Sequence, residues 1–231
     1  MGFQCGDFFV LRGFSPISRG IRLLTSVRYG IPFRETFSHV ESAIDEEQNV
    51  SAEKSGVKIV SNKREKITKA YAKVYRLKKF DDDDKKNHKE EAVNNHVGKK
   101  YAFWRYLLDF IRIVTFICAL FWGIVMMLNK FVGLIVLMEI VFFFLIKGFL
   151  IKKDNLTEDC AENQSLIYSA NGRWFPLPRP RNEFPNGMVQ VWENLVLNGV
   201  AVVVAERQKD GDWEWKIEEE TPESESNPDS D

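Results

Sequence analysis

The chain has 231 residues, enough for one domain with a sizeable core plus an appendage. Lys and Arg number 32 against 33 Asp and Glu, so no overall field points to nucleic acid or to an acidic ligand. Three cysteines, Cys5, Cys118 and Cys160, are too few for a disulfide framework.

In chain order, residues 7–11 (DFFVL) read as a short buried strand after Gly6. A helix follows in SPISRGIRLLTSV, capped by Ser15 or Ser18, with Ile17, Ile21 and Leu24 on one face. TFSHVESAID alternates as a strand, EEQN turns, and VSAEKSGVKIV resumes as a strand with Gly56 marking a bulge or bend. KAYAKVYRLK alternates again. DDDDKKNHKEEAVNNHVGKK opens on an acidic cap and reads as a polar helix running to Gly98. His88 and His96 lie eight apart there without metal-site spacing, and they read as solvated surface histidines.

Residues 105–153 are the most apolar part of the chain. Ile113 to Leu128 carries no charge and Phe131 to Ile146 carries only Glu139, with Asn129 and Lys130 between the two runs. Each half, extended to Leu107 and Ile151, approaches the roughly 20 residues that cross a bilayer. Two buried helices of a soluble domain are the competing reading, but a chain this short has little protein to cover both. The expectation is therefore a membrane hairpin, with Asp109 paired to Arg112 near one end and Cys118 packed within it. Glu139 at mid-span costs roughly 2.5–3.5 kcal/mol unless neutral or paired. Basic residues flank both outer ends, which implies two crossings with both ends cytoplasmic.

After the hairpin, Cys160 opens the helix AENQSLIYSANG, among Glu158, Asp159 and Glu162. These acids disfavour a thiolate unless they point away, whereas the free N–H groups of the helix start favour it and offer donors to an oxyanion. RWFPLPRPRNEFPNG is a Pro-rich loop, residues 188–197 a short helix, GVAVVVAER a buried strand and DWEWKI an edge strand. The tail 218–231 is acidic and expected to be disordered.

The segments GDFFVL, ISRGIRLLT, FSHVESAI, VSAEKSGV, GKKYAFW and DCAENQSLIYSANG occur in an order that resembles the permuted NlpC/P60 papain-like cysteine hydrolases. The YiiX-type branch is the nearer likeness and the lecithin:retinol acyltransferase group a more distant one. The resemblance covers roughly residues 5–80 and 95–172. It implies an α+β, circularly permuted papain-like domain with a small antiparallel sheet, a Cys-bearing helix and an inserted hydrophobic hairpin. The corresponding units are 1–104 with the His strand, 105–153 as the hairpin, 154–217 with the Cys helix and final strands, and 218–231 as the tail.

It further implies Cys160 as nucleophile, His39 as general base and a third polar residue on the strand after His39. Glu53 is the stronger orienter because a carboxylate stabilises imidazolium. Ser51 is a weaker one if the register shifts. Glu41, two residues from His39 on the same strand face, stands where the family has a small residue and can itself contact the ring. The expected activity is cleavage or transfer at a peptide, isopeptide or lipid acyl carbonyl, at a membrane face, without cofactor or metal and without nucleic acid. The alternatives are a catalytically inactive membrane scaffold, and a channel-like oligomer lined by Glu139.

Overall fold

The structure is a computed structural model. It describes residues 2–64, 70–102, 157–170 and 185–216, with the single positions 111, 114, 115, 118 and 121. The expected hairpin at 105–153, the Pro-rich loop and the tail therefore lie almost wholly outside the described residues. Among the described residues no helix is long and apolar enough to cross a membrane.

The fold is α+β, built on an antiparallel sheet. Strand β1 (Phe8–Arg12) leads into helix α1 (Pro16–Tyr29). Ser15 caps α1 by accepting from the Ser18 N–H, Pro16 occupies the first turn where no N–H is needed, and Gly30 closes it at φ 64°. Strands β2 (His39–Ala43), β3 (Gln48–Glu53), β4 (Gly56–Ser61) and β5 (Tyr71–Leu77) follow. Helix α2 (Asp82–Glu91) is closed by a reciprocal Asp81–Asp84 capping box and continues into a π-helical turn, Ala92–His96. Two-residue strands β6 (Lys100–Tyr101) and β7 (Thr157–Glu158) precede helices α3 (Cys160–Ala170) and α4 (Pro185–Leu197) and strands β8 (Ala201–Arg207) and β9 (Glu214–Trp215).

The main sheet has the order β4-β3-β2-β1-β5-β8-β9, and all its pairs are antiparallel. Because β8 pairs on β5, the stretches before and after residues 103–156 share one sheet. Side-chain alternation gives that sheet two apolar faces. Phe8, Val10, Val40, Val50, Ala52, Tyr75 and Leu77 meet Cys160, Ile167 and Tyr168 of α3 and Met188 and Trp192 of α4. Trp192 stacks on Phe8 at 5.0 Å and 12°. On the other face Phe9, Ala43, Val74 and Val204 are covered by Phe3, Trp213 and Trp215.

Three expectations need correction. VSAEKSGVKIV is a hairpin, not one bent strand: Glu53 pairs with Gly56 across Lys54–Ser55, and Gly56 takes φ 116°, which only glycine adopts readily. His88 and His96 are buried. His88 places its Nε2 3.1 Å from the Ser42 Oγ and its ring 4.7 Å from that of Tyr168, while His96 reaches Glu91 at 3.0 Å. α2 thus docks through Asp84, His88 and Ala92, a stripe at i+4 spacing that no apolar pattern advertises. Finally, Cys118 is exposed rather than packed.

Candidate active site

The short motifs seen in the sequence have local structural duties. Gly6 sits at φ 87° against the Phe80 ring, where a Cβ would collide at 2.3 Å. Asp7 is buried and takes two bonds from Arg76, at 2.7 and 2.8 Å, and one from the Gln4 N–H. Ser38 ties the start of β2 to β1: its N–H donates to the Leu11 carbonyl at 2.9 Å and its Oγ accepts from the Gly13 N–H at 2.9 Å.

That anchor fixes His39, the first residue of β2 and only 7% exposed. Its Nε2 lies 2.9 Å from the Ser51 Oγ and 3.0 Å from the Glu41 Oε1. A carboxylate oxygen can only accept, so the nitrogen facing Glu41 carries the proton and Nδ1 holds the ring's lone pair in the neutral form. Glu41 is wholly buried. Its Oε1 also accepts from the Arg64 Nη2 at 2.5 Å and its Oε2 from the Asn49 Nδ2 at 3.1 Å. A buried carboxylate needs this degree of satisfaction, because desolvation otherwise costs several kcal/mol. Arg64 extends the network to Ser51 at 3.5 Å and Glu53 at 3.4 Å, and the other Glu53 oxygen pairs with Lys58 at 2.9 Å. Of the three orienting residues weighed from the sequence, Ser51 and Glu41 stand at the imidazole, and Glu53 bonds Arg64 and Lys58 two residues further along β3. Arg64 and Asn49 escaped the sequence reading. Asn49 sits at a strand position with no distinguishing neighbour, and Arg64 reaches Glu41 only because the β3–β4 hairpin folds back.

Cys160 is the first residue of α3 and is fully buried. Its apolar cluster includes Val40, Val50 and Ala52, which alternate with His39, Glu41, Asn49 and Ser51 along β2 and β3, so strand alternation sets that cluster and the His39 ring on opposite faces of the sheet. α3 is positioned from within: Gln164 donates to the Val50 carbonyl at 3.2 Å and the Tyr168 hydroxyl to the Gly6 carbonyl at 2.9 Å. Tyr168 thereby pins the C-terminal half of α3 at the Ser42–Ala43 end of β2, since the Gly6 N–H bonds Ala43.

Asp159 and Glu162, expected to point away from the sulfur, are both withdrawn from solvent. Asp159 is buried and caps the helix, its Oδ1 accepting from the N–H groups of Ala161 at 2.9 Å and Glu162 at 2.8 Å. Those two groups are therefore spent on the cap and are not oxyanion donors. Glu162 is buried as well. Elsewhere, burial pushes the Cys5 thiol up to about 11, which suits a structural residue rather than a nucleophile. Among the described residues no group of three or more His, Cys, Asp or Glu is arranged to hold a metal ion. Comparison of the chain with protein-family models, with curated proteins and with solved structures finds no match.

Proposed function

We propose that the protein is a membrane-anchored cysteine hydrolase or acyltransferase of the permuted papain-like kind, acting on an amide or ester carbonyl. The observation that carries this reading is the oriented imidazole of His39. Glu41 and Ser51 hold its Nε2, which leaves Nδ1 as the basic nitrogen, and a carboxylate on the far side of the ring stabilises the imidazolium that proton transfer creates. The Cys160 thiol passes its proton to Nδ1 and its sulfur bonds the carbonyl carbon. Collapse of the tetrahedral adduct expels the amine or alcohol, which takes the proton from the imidazolium. Water or another acceptor then releases the acyl group by the same route. Glu41 and Ser51 are the orienting residues, with Glu53 behind them through Arg64.

The membrane reading draws support from two observations. β6 and β7 pair in parallel, so the chain leaves at Tyr101 and re-enters at Thr157 side by side, as an even number of crossings demands. Ile111, Val114, Cys118 and Phe121 are helical and exposed at spacings of three and four, an apolar stripe facing outward. Two crossings with the catalytic domain on the cytoplasmic side fit the basic flanks, and the substrate is then a peptide, an isopeptide or an acyl lipid.

The register sets the His39 ring and the cluster around Cys160 on opposite faces of β2, so the catalytic reading requires thiol and imidazole to meet around the first residue of the strand. The experiment is labelling of the full chain in detergent micelles with an electrophilic acyl probe. Cys160→Ala and His39→Gln should each abolish labelling, and in His39→Cys a disulfide to Cys160 should form under mild oxidation. Labelling undiminished in Cys160→Ala, or no disulfide in folded His39→Cys, defeats the proposal. One observation favours a second reading, a catalytically silent scaffold: the Asp159 carboxylate sits on the helix start that would otherwise stabilise a thiolate. On that reading Cys160 labels no faster than free cysteine.

A further inference from the structure

Helix α1 buries little of its apolar surface. At 100° per residue, Ile17, Gly20, Leu23 and Val27 share one arc beside Ile21 and Leu24. Ile21 and Leu24 are covered, but Ile17 and Leu23 are 51% exposed and Val27 57%. Phe14 and Phe33, just before and after the helix, are exposed as well. A contiguous uncovered patch of this kind marks a surface with an occupant.

Two features identify that occupant. The first is charge: of the arginines described from Phe8 to Arg34, Arg22 is buried on the Phe33 carbonyl and Arg12 stacks on Phe37 and Tyr71, which leaves Arg19 and Arg34 as the exposed cations, with Glu35 the one exposed acid next to them. Arg19 and Arg34 are exposed, and Lys209 lies over the Phe14 ring at 5.0 Å. The second is position: the covered residues Ile21 and Leu24 pack against Tyr101, the last residue of β6, from which the chain enters its hydrophobic stretch. α1 therefore lies beside the point where that stretch leaves the domain.

We infer that α1 lies flat in the membrane–water interface, its Ile17–Leu23–Val27 face among the upper acyl chains and the exposed Arg19 and Arg34 on anionic phospholipid headgroups. Such a helix binds through buried apolar area together with attraction to acidic lipids, and long Arg side chains reach from the apolar level to the phosphates. The inference rests on the membrane reading above and deepens it: the sheet and its candidate site are held against the bilayer surface at a second point, besides the hydrophobic stretch, which orients the site toward lipid-borne substrate.

The test places an environment-sensitive fluorophore on single cysteines in the full chain carrying Cys5→Ser, Cys118→Ala and Cys160→Ala. The protein is reconstituted into phosphatidylcholine vesicles containing phosphatidylserine, with brominated acyl chains as the quencher. The positions are Val27→Cys, Phe121→Cys in the hydrophobic stretch, and Lys86→Cys on the exposed side of α2 as the aqueous control. The expected result is loss of most fluorescence at 27 and 121 and little at 86, with weaker quenching at 27 when phosphatidylserine is omitted. Quenching at 121 but not at 27 overturns the α1 inference and leaves the membrane anchor standing. Quenching at neither overturns both, and quenching at 27 alone keeps α1 at the interface while removing the anchor. Quenching at 27 that ignores phosphatidylserine overturns the role given to the arginines.

Discussion

His88 makes the stability of this fold depend on mild acid. The ring is fully buried between α2, β2 and α3, its Nε2 lies 3.1 Å from the Ser42 Oγ, and its Nδ1 is buried with no hydrogen-bond partner. Loss of water around the ring lowers its pKa from 6.5 to about 3. The sign follows from proton uptake. Between these values the unfolded chain binds a proton that the folded chain refuses, so stability is intact above 6.5 and falls as pH drops toward 3. Integrating that uptake gives a loss on the order of 2–3 kcal/mol between about pH 7.5 and about pH 4.5. His88→Gln keeps a hydrogen-bonding group toward Ser42 and cannot titrate. The assay is urea unfolding of both proteins at both pH values, followed by fluorescence of the buried Trp192. Carboxylates elsewhere act equally on the two, so the difference of differences belongs to His88. The variant should lose on the order of 2–3 kcal/mol less than the parent over this interval, whatever its stability at neutral pH. Equal losses would refute the claim that the ring is held neutral in a dry site.

Three further outcomes follow from the same geometry. Glu41→Gln should slow acyl-probe labelling of Cys160 on the order of 10²-fold or more, whereas Glu53→Gln should change it less than about threefold; the reverse order would make Glu53 the orienting residue. Because Arg64 loses its buried counter-charge in Glu41→Gln, keeping Glu53, circular dichroism of that variant must first show a folded protein, and Glu41→Gln with Arg64→Met supplies a second background. Asp159→Ala should lower stability by about 1–2 kcal/mol and Asp159→Asn by much less, read from urea midpoints; equal costs would mean that the cap on α3 is not the source. Gly56→Ala should cost about 2–4 kcal/mol, since φ is 116° and the new Cβ would stand 2.7 Å from the Lys99 carbonyl; a neutral result would show that the hairpin can shift.

Much of this fold was legible because local signals and tertiary packing agree. β1, β2 and β5 alternate between two apolar faces, α1 carries Ser15, Pro16 and Gly30 at the right places, and β9 is at the sheet edge where DWEWKI suggested it. The β3–β4 hairpin was missed because Lys54 and Ser55 are weak turn residues between stretches that both alternate. The burial of His88 was missed for a different reason: the docking stripe of α2 is Asp84, His88 and Ala92, and hydrophobic periodicity is blind to a face built of polar groups. At the candidate site, Glu41 was visible as the i+2 neighbour of His39, but its counter-ion Arg64 lies 23 residues away and becomes a neighbour only through the hairpin. The orientation of Asp159 was likewise beyond the pattern. An acid next to an N-terminal cysteine can repel a thiolate or cap the helix, and the N–H groups of Ala161 and Glu162 decide for the cap.

The β6–β7 pair constrains what lies between its strands. Parallel neighbours cannot be joined by a tight turn, because the chain must travel back past the pair before running alongside it. In a soluble α/β protein the return is a single helix across the sheet; here it occupies residues 102–156, far more than a crossover needs. Each strand is only two residues long, so departure and return lie on the order of 10 Å apart. Closing a long connection between adjacent ends costs little, because loop-closure entropy grows only as the logarithm of length. A connection of this length between β6 and β7 is therefore compatible with the sheet, because β8 on β5 and α3 on β2 and β3 join the stretches before and after it.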